Sequence, residues 1–286
     1  MKKLCIVVDT TSTITKEECS EYDIVSIPLS VIVDGKAYLD QEEMGMDQLV
    51  QYLKDGAELS TSQPNIGVLQ ERFEALQKQG YDGYLVYTIS SQLSGTYQAF
   101  LWVKDQLNLR NFHIVDSLGV ACPIKEAAIH ARKMFQEGIS LEEIIQHSNE
   151  LFARCLTFVY PNSLQQLKKG GRISPLAANM ASLLKIKPLL YVKEDGSCIE
   201  KYGMARTENK LFDMMIEAYQ KQGFDPKREK FFLLHIEAMD LVVTLRQRLI
   251  EVFGEEVEIE IRDVPAVLAT HVGLRVVALQ SSLKRA

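Results

Sequence analysis

Short runs of β-branched residues alternate with segments of helical periodicity through the first half of the chain, and this alternation narrows the possible folds more than any other feature. Strands are predicted at Leu4 to Val8, Leu29 to Val33, Tyr84 to Ile89, Phe112 to Val115 and Cys155 to Val159. Between them, Leu69, Phe73 and Leu76 recur at helical spacing, as do Leu101, Lys104 and Leu107, with the lysine on the flank, and Leu141, Ile144, Ile145 and Leu151. Parallel neighbours need a crossover long enough for a helix, so this half is predicted to form an open, mainly parallel α/β sheet.

The pattern changes after Pro161. Val257, Ile259 and Ile261 alternate with Glu256, Glu258, Glu260 and Arg262, as expected of a strand with one solvated face. Phe231 to Ile236 and Arg275 to Leu279 are further predicted strands. Helices carrying Leu211, Met214, Met215 and Ala218, and Leu241, Leu245 and Leu249, separate them. We expect two domains, an N-terminal α/β domain over residues 1–160 and a C-terminal α/β domain over 161–286 whose sheet is mixed or antiparallel.

The 286 residues are enough for two ordinary domains, and 47% hydrophobic with 24% charged residues is the balance of a chain with a real core. A net charge of −6 argues against a general nucleic-acid binder. The apolar run behind Met1-Lys2-Lys3 stops at Asp9, too early for an export signal, and no apolar stretch approaches the ~18 residues of a membrane span. The cysteines at 5, 19, 122, 155 and 198 form no C-x-x-C pair; we expect reduced thiols of a cytoplasmic protein, with no metal site.

Ligands of open α/β sheets bind beyond the carboxyl ends of the strands, which directs attention to three polar loops. Asp9-Thr10-Thr11-Ser12-Thr13 follows the first strand. Its aspartate stands where a phosphatase nucleophile would, but the second aspartate such an enzyme needs is Thr11, and an Asx or ST turn accounts for the same residues. Ser90-Ser91-Gln92-Leu93-Ser94-Gly95-Thr96 joins a strand to a helix, with Ser94 expected as N-cap and Gly95 allowing close approach to the backbone. Thr61-Ser62-Gln63-Pro64 precedes another helix, with Pro64 expected at its first position. Two helix starts with free N–H groups and neutral hydroxyls would form an anion site if brought together; ordinary capping explains each alone.

Lys168-Lys169-Gly170-Gly171-Arg172-Ile173-Ser174-Pro175 reads as a helix from Ser163 ended by glycine, its lysines complementing the dipole, then a second helix capped by Ser174. Arg172 is left without a local role. Histidines at 113, 130, 147, 235 and 271 show no metal-ligand spacing, and of these His271 falls in a strand-end loop. G-x-G-x-x-G, the Walker A loop and G-x-S-x-G are all missing, which removes the common dinucleotide, NTPase and hydrolase readings.

The sequence resembles the DegV family of bacterial fatty-acid-binding proteins. The likeness runs through the Asp9 loop, Gly35-Lys36-Ala37-Tyr38-Leu39-Asp40, Thr61-Ser62-Gln63-Pro64, Leu93-Ser94-Gly95-Thr96-Tyr97, Val115-Asp116-Ser117, Gly170-Gly171-Arg172-Ile173, Lys187-Pro188, Arg206-Thr207 and Thr270-His271-Val272-Gly273. It departs at Leu274 and Arg275, where the family commonly has Pro-Gly, and at Thr10, where serine is usual.

The resemblance implies two α/β domains holding one long-chain fatty acid in a tunnel between them, with no cofactor. It assigns the carboxylate to Thr61, Ser62, Ser94, Gly95 and His271. It implies a lipid carrier that is not an enzyme: a separate ATP-dependent fatty-acid kinase phosphorylates the carboxylate, the carrier holds the acyl phosphate, and Arg172 docks the kinase. Contact with a membrane surface would be at most transient, for lipid exchange. Two alternatives stand beside it, a phosphotransferase or phosphatase using Asp9 and a lipid-responsive regulator.

Overall fold

A computed structural model describes residues 3–179 and 186–285, which divide into two compact units. The first comprises residues up to Ala153 together with Pro265–Val267, and the second Arg154–Val264 and Leu268 onwards.

In chain order the first unit contains β1 (Leu4–Asp9), a 3-10 turn at Thr10–Ser12, α1 (Lys16–Tyr22), β2 (Ile24–Ile27), β3 (Ser30–Val33), β4 (Lys36–Leu39), α2 (Met46–Asp55) and β5 (Leu59–Ser62). There follow α3 (Ile66–Gln77), β6 (Gly83–Thr88), α4 (Thr96–Gln106), β7 (Phe112–Asp116), α5 (Cys122–Gln136) and α6 (Leu141–Arg154). Strands β2, β1, β6 and β7, in that order, form the expected parallel sheet. Every residue of β1 and β6 is buried, as befits strands covered on both faces. Phe73 of α3 packs among Tyr84, Phe100 and Phe112 in the core on one side.

The predicted strand at Leu29 to Val33 lies outside this sheet. As β3 it is the centre of a separate antiparallel sheet in the order β4, β3, β5. The cause is Asp34-Gly35, both at positive φ, which close a two-residue hairpin. On α4 the fully buried residues are Thr96, Ala99, Phe100 and Val103; of the predicted stripe, Leu107 packs partly buried against this core and Leu101 is half-buried. The large Phe100 and Val103 decide the rotation of that helix.

The second unit runs through β8 (Thr157–Tyr160), α7 (Gln165–Gly170), α8 (Pro175–Ala178), β9 (Lys187–Val192), β10 (Ile199–Ala205), α9 (Glu208–Gln222), β11 (Glu229–Ile236), α10 (Met239–Phe253), β12 (Ile259–Asp263) and β13 (Val276–Leu283). One further helix, α11 (Ala266–Val272), begins among residues of the first unit and ends in the second. Six strands form one mixed sheet in the order β10, β9, β8, β13, β11, β12. All its pairings are antiparallel except that between β11 and β12. The strand predicted at Cys155 to Val159 within the first sheet is therefore β8 of this one. A short strand buried on both faces has the same residue pattern whichever way its neighbours run. Phe158, Tyr219, Phe224, Phe231 and Phe253 form an aromatic core, with Phe224 stacked on Phe231 at 3.9 Å between centroids.

Candidate functional site

The Asp9 and Ser94 loops follow the parallel strands β1 and β6, whereas the Thr61–Pro64 segment follows β5 of the antiparallel sheet. Thr61 and Ser62 are the last residues of β5, paired with Val31 and Ser30. Ser62 is exposed and its hydroxyl donates to the Gln63 carbonyl at 3.1 Å. Pro64 stands before the helix rather than at its first position: Asn65 is the N-cap of α3, accepting from the N–H groups of Gly67 and Val68. The Asn65 side chain accepts two helix-start N–H bonds, so the cap lies two residues beyond the Gln63 that a first-position Pro64 would imply.

The loop after β6 differs in the same way from expectation. Gly95, not Ser94, is the N-cap of α4. Ser94 precedes it, with its hydroxyl 2.8 Å from that of Thr96 and 3.3 Å from the Thr96 N–H. The N–H groups of Leu93 and Ser94 both donate to the Ser90 carbonyl, so the loop is a tight turn. Asp116, at the end of β7, accepts from the N–H of Ser91 at 3.1 Å and fixes the same loop from the other side. Its role is legible only from the fold; the Val115-Asp116-Ser117 motif marks the position without saying what it holds.

The structure brings these two segments together. The Gln63 side chain lies against Gly95 so closely that a Cβ built there would stand 1.9 Å from Gln63 Oε1. A side chain at position 95 would have to displace the Gln63 amide. The Thr61–Pro64 segment and the start of α4 are adjacent, as the two-helix-start reading requires.

In the second unit, Gly170, Arg172 and His271 form a separate group. His271 lies in the last turn of α11, with Nδ1 2.3 Å from where a Cβ on Gly170 would be. Its imidazole is lowered to about 4, first by burial and then by the charge of Arg172, so the ring is neutral at pH 7. The Arg172 guanidinium donates to the Gly170 carbonyl, giving this residue a local partner that sequence reasoning did not supply. Ser174 caps α8 as expected, accepting from Ala177 N–H at 3.1 Å. Arg275, at the departure from the family pattern, is engaged with Asp240 of α10 through two bonds of 2.9 and 3.0 Å.

Asp9 is not a nucleophile. It is fully buried, and its carboxylate accepts from Ile89 N–H at 2.8 Å, from Thr11 N–H at 2.9 Å and from the Thr11 hydroxyl. An attacking oxygen needs access and a free lone pair aimed at substrate, so the phosphatase alternative fails on this geometry. Among the described residues no three His, Cys, Asp or Glu side chains group as metal ligands, and no helix is long and apolar enough to cross a membrane.

The chain matches the DegV family, described as an uncharacterised protein family, over residues 3–284. It is 31% identical over 277 residues to a DegV domain-containing protein of Halalkalibacterium halodurans, covering 96% of each chain. Its fold superposes on a fatty-acid-binding DegV family protein of Thermus thermophilus with a TM-score of 0.88 at 26% identity, over 99% of this chain and 100% of the other. A fatty-acid-binding DegV family protein of Streptococcus agalactiae gives a TM-score of 0.88 at 27% identity, over 100% of both chains.

Proposed function

Since the chain belongs to the DegV family, we propose that it binds a long-chain fatty acid and serves as its carrier in the bacterial cytoplasm. The hydroxyls of Thr61, Ser62 and Ser94 and the N–H of Gly95 take the carboxylate, and the neutral His271 adds a donor. The observation that carries this reading is the adjacency of the Thr61–Pro64 segment to the start of α4 across Gln63 and Gly95.

Charge-assisted bonds of roughly 1.5–3 kcal/mol each suffice to withdraw a carboxylate from water without a salt bridge. About fourteen buried methylenes at ~0.8 kcal/mol each contribute on the order of 11 kcal/mol, against association costs of roughly 4–15 kcal/mol. An anion held by neutral donors keeps an oxygen available to a phosphoryl donor. We therefore assign the chemistry to a separate ATP-dependent fatty-acid kinase, with the acyl phosphate held here and Arg172 at the docking surface. Membrane contact is at most transient, for loading of the lipid.

Ser94→Ala and Thr61→Ala are each expected to weaken fatty-acid binding about ten- to hundredfold by titration calorimetry. Unchanged affinity in both removes the head-group assignment. Arg172→Ala is expected to retain fatty acid and thermal stability while acyl phosphate formation with the kinase falls sharply. Early melting would instead assign Arg172 to the Gly170 turn alone.

A further inference from the structure

Two aspartates of the first unit lie outside the head-group cluster and behind it. Asp9 ends β1, and one of its three bonds reaches Ile89, the residue that leads β6 into the Ser94 loop. From there the connection is short: Leu93 and Ser94 both donate to the carbonyl of Ser90. Asp9 thus holds the base of the turn that presents Ser94.

Asp40, just after β4, is also fully buried, and its N–H donates to the Leu29 carbonyl at 2.9 Å. Its carboxyl group faces the Thr10 hydroxyl, the N–H groups of Gln41 and Val267, and Asp9. Neither of its oxygens closes a hydrogen bond. From the end of β1 the charged group facing it is Asp9; the turn after β1, the turn after β4 and the start of α11 contribute uncharged donors. Leu29 links the two segments, its N–H donating to the Thr10 hydroxyl at 3.2 Å and its carbonyl accepting from Asp40. Two neighbouring buried carboxyl groups do not both ionise without cost; burial raises Asp9 as well, but its bonds from Thr11 and Ile89 oppose that shift, so the proton goes to Asp40, the one with poorer donors.

We propose that Asp9 and Asp40 are a positioning pair for the Ser94 loop, Asp9 as the ionised anchor of Ile89 and Asp40 as the neutral acid that spares that anchor a second negative charge. This role rests on the head-group reading of Ser94. Burial, ahead of the field of Asp9, raises Asp40 to about 7, so its ionisation falls in the neutral range. His271, lowered to about 4, does not titrate there, nor does a monomeric fatty acid. Ionised Asp40 repels Asp9, which loosens the Ile89 anchor.

Amide hydrogen exchange at Ile89 to Ser94 in the ligand-free protein tests the pair, with rates corrected for intrinsic exchange between about pH 6 and pH 8.5. Wild-type protection should fall about tenfold or more across that range. In Asp40→Asn, which mimics the neutral acid, protection should stay level. Flat wild-type protection, or an equal fall in the variant, overturns the pair, and the wild-type profile decides alone should the variant not fold. Decanoate affinity measured over the same range should follow the wild-type protection and be level in Asp40→Asn. Affinity that ignores a changing protection overturns the link to Ser94. Protection that behaves as described with no decanoate bound at any pH supports the pair and overturns the head-group reading instead.

Discussion

Asp40 in the first unit and His271 in the second are both titratable groups withdrawn from water, and burial favours the neutral form of each from opposite directions. The acid is raised to about 7 and holds its proton up to the neutral range; the base is lowered to about 4 and gives its proton up well below it. Burial is the leading cause in each case, followed among charges by a like one: Asp9 beside the acid, Arg172 beside the base. The first region is therefore organised by hydrogen bonds that an anion accepts, and the second by close packing of a neutral ring on Gly170.

The largest effect expected is from removing the anion that organises the first region. Asp9→Ala leaves the N–H groups of Ile89 and Thr11 without their acceptor in a buried setting and should lower stability by about 2–5 kcal/mol in urea unfolding. A loss below about 1 kcal/mol would mean that the two loops hold their shape without it.

Stability against pH separates the two regions by sign. An acid with a raised folded value favours the folded state below its unfolded value of about 3.9 and loses that advantage as pH climbs through about 7. A base with a lowered folded value does the reverse, since between about 4 and 6.5 the unfolded chain binds more protons. Relative to Asp40→Asn, wild-type stability should fall from about pH 4 to pH 7 by on the order of 2–3 kcal/mol. Relative to His271→Gln it should rise over about pH 4 to 6.5 by a similar amount. Differences of the same sign in both variants would break the comparison.

A smaller effect tests the packing side alone. Gly170→Ala places a Cβ against the His271 ring and should cost about 1–3 kcal/mol, partly offset by the better helix propensity of alanine. In a His271→Ala background the same change should become neutral or stabilising. An equal cost in both backgrounds would show that the contact is not what Gly170 serves.

The sequence is explicit about elements that are buried on both faces or strongly periodic. β1, β6 and β7 are legible because continuous apolar runs alternate with helices, and α3 because Leu69, Phe73 and Leu76 share one stripe. β8 is legible as a strand yet silent on its sheet, because its partners β9 and β13 come later in the chain. The turn at Asp34-Gly35 carries a local hairpin signal that marks β3 and β4 as an antiparallel pair, and reading β3 as one more parallel strand overlooks it. At the site, Thr61, Ser94 and His271 stand out by motif. Asp9, Asp40 and Asp116 fall within such motifs too, but what they support is not legible there: they act through residues between 25 and 80 positions away or through proximity alone, which no local pattern encodes.

The measurement closest to the central claim is native mass spectrometry of the protein purified from cells, followed by denaturation and analysis of what is released. The account predicts one adduct per chain with the mass of a long-chain fatty acid, lost on unfolding and depleted in a Thr61→Ala, Ser94→Ala double variant. A protein that emerges empty and takes up no long-chain fatty acid when supplied with one would contradict it.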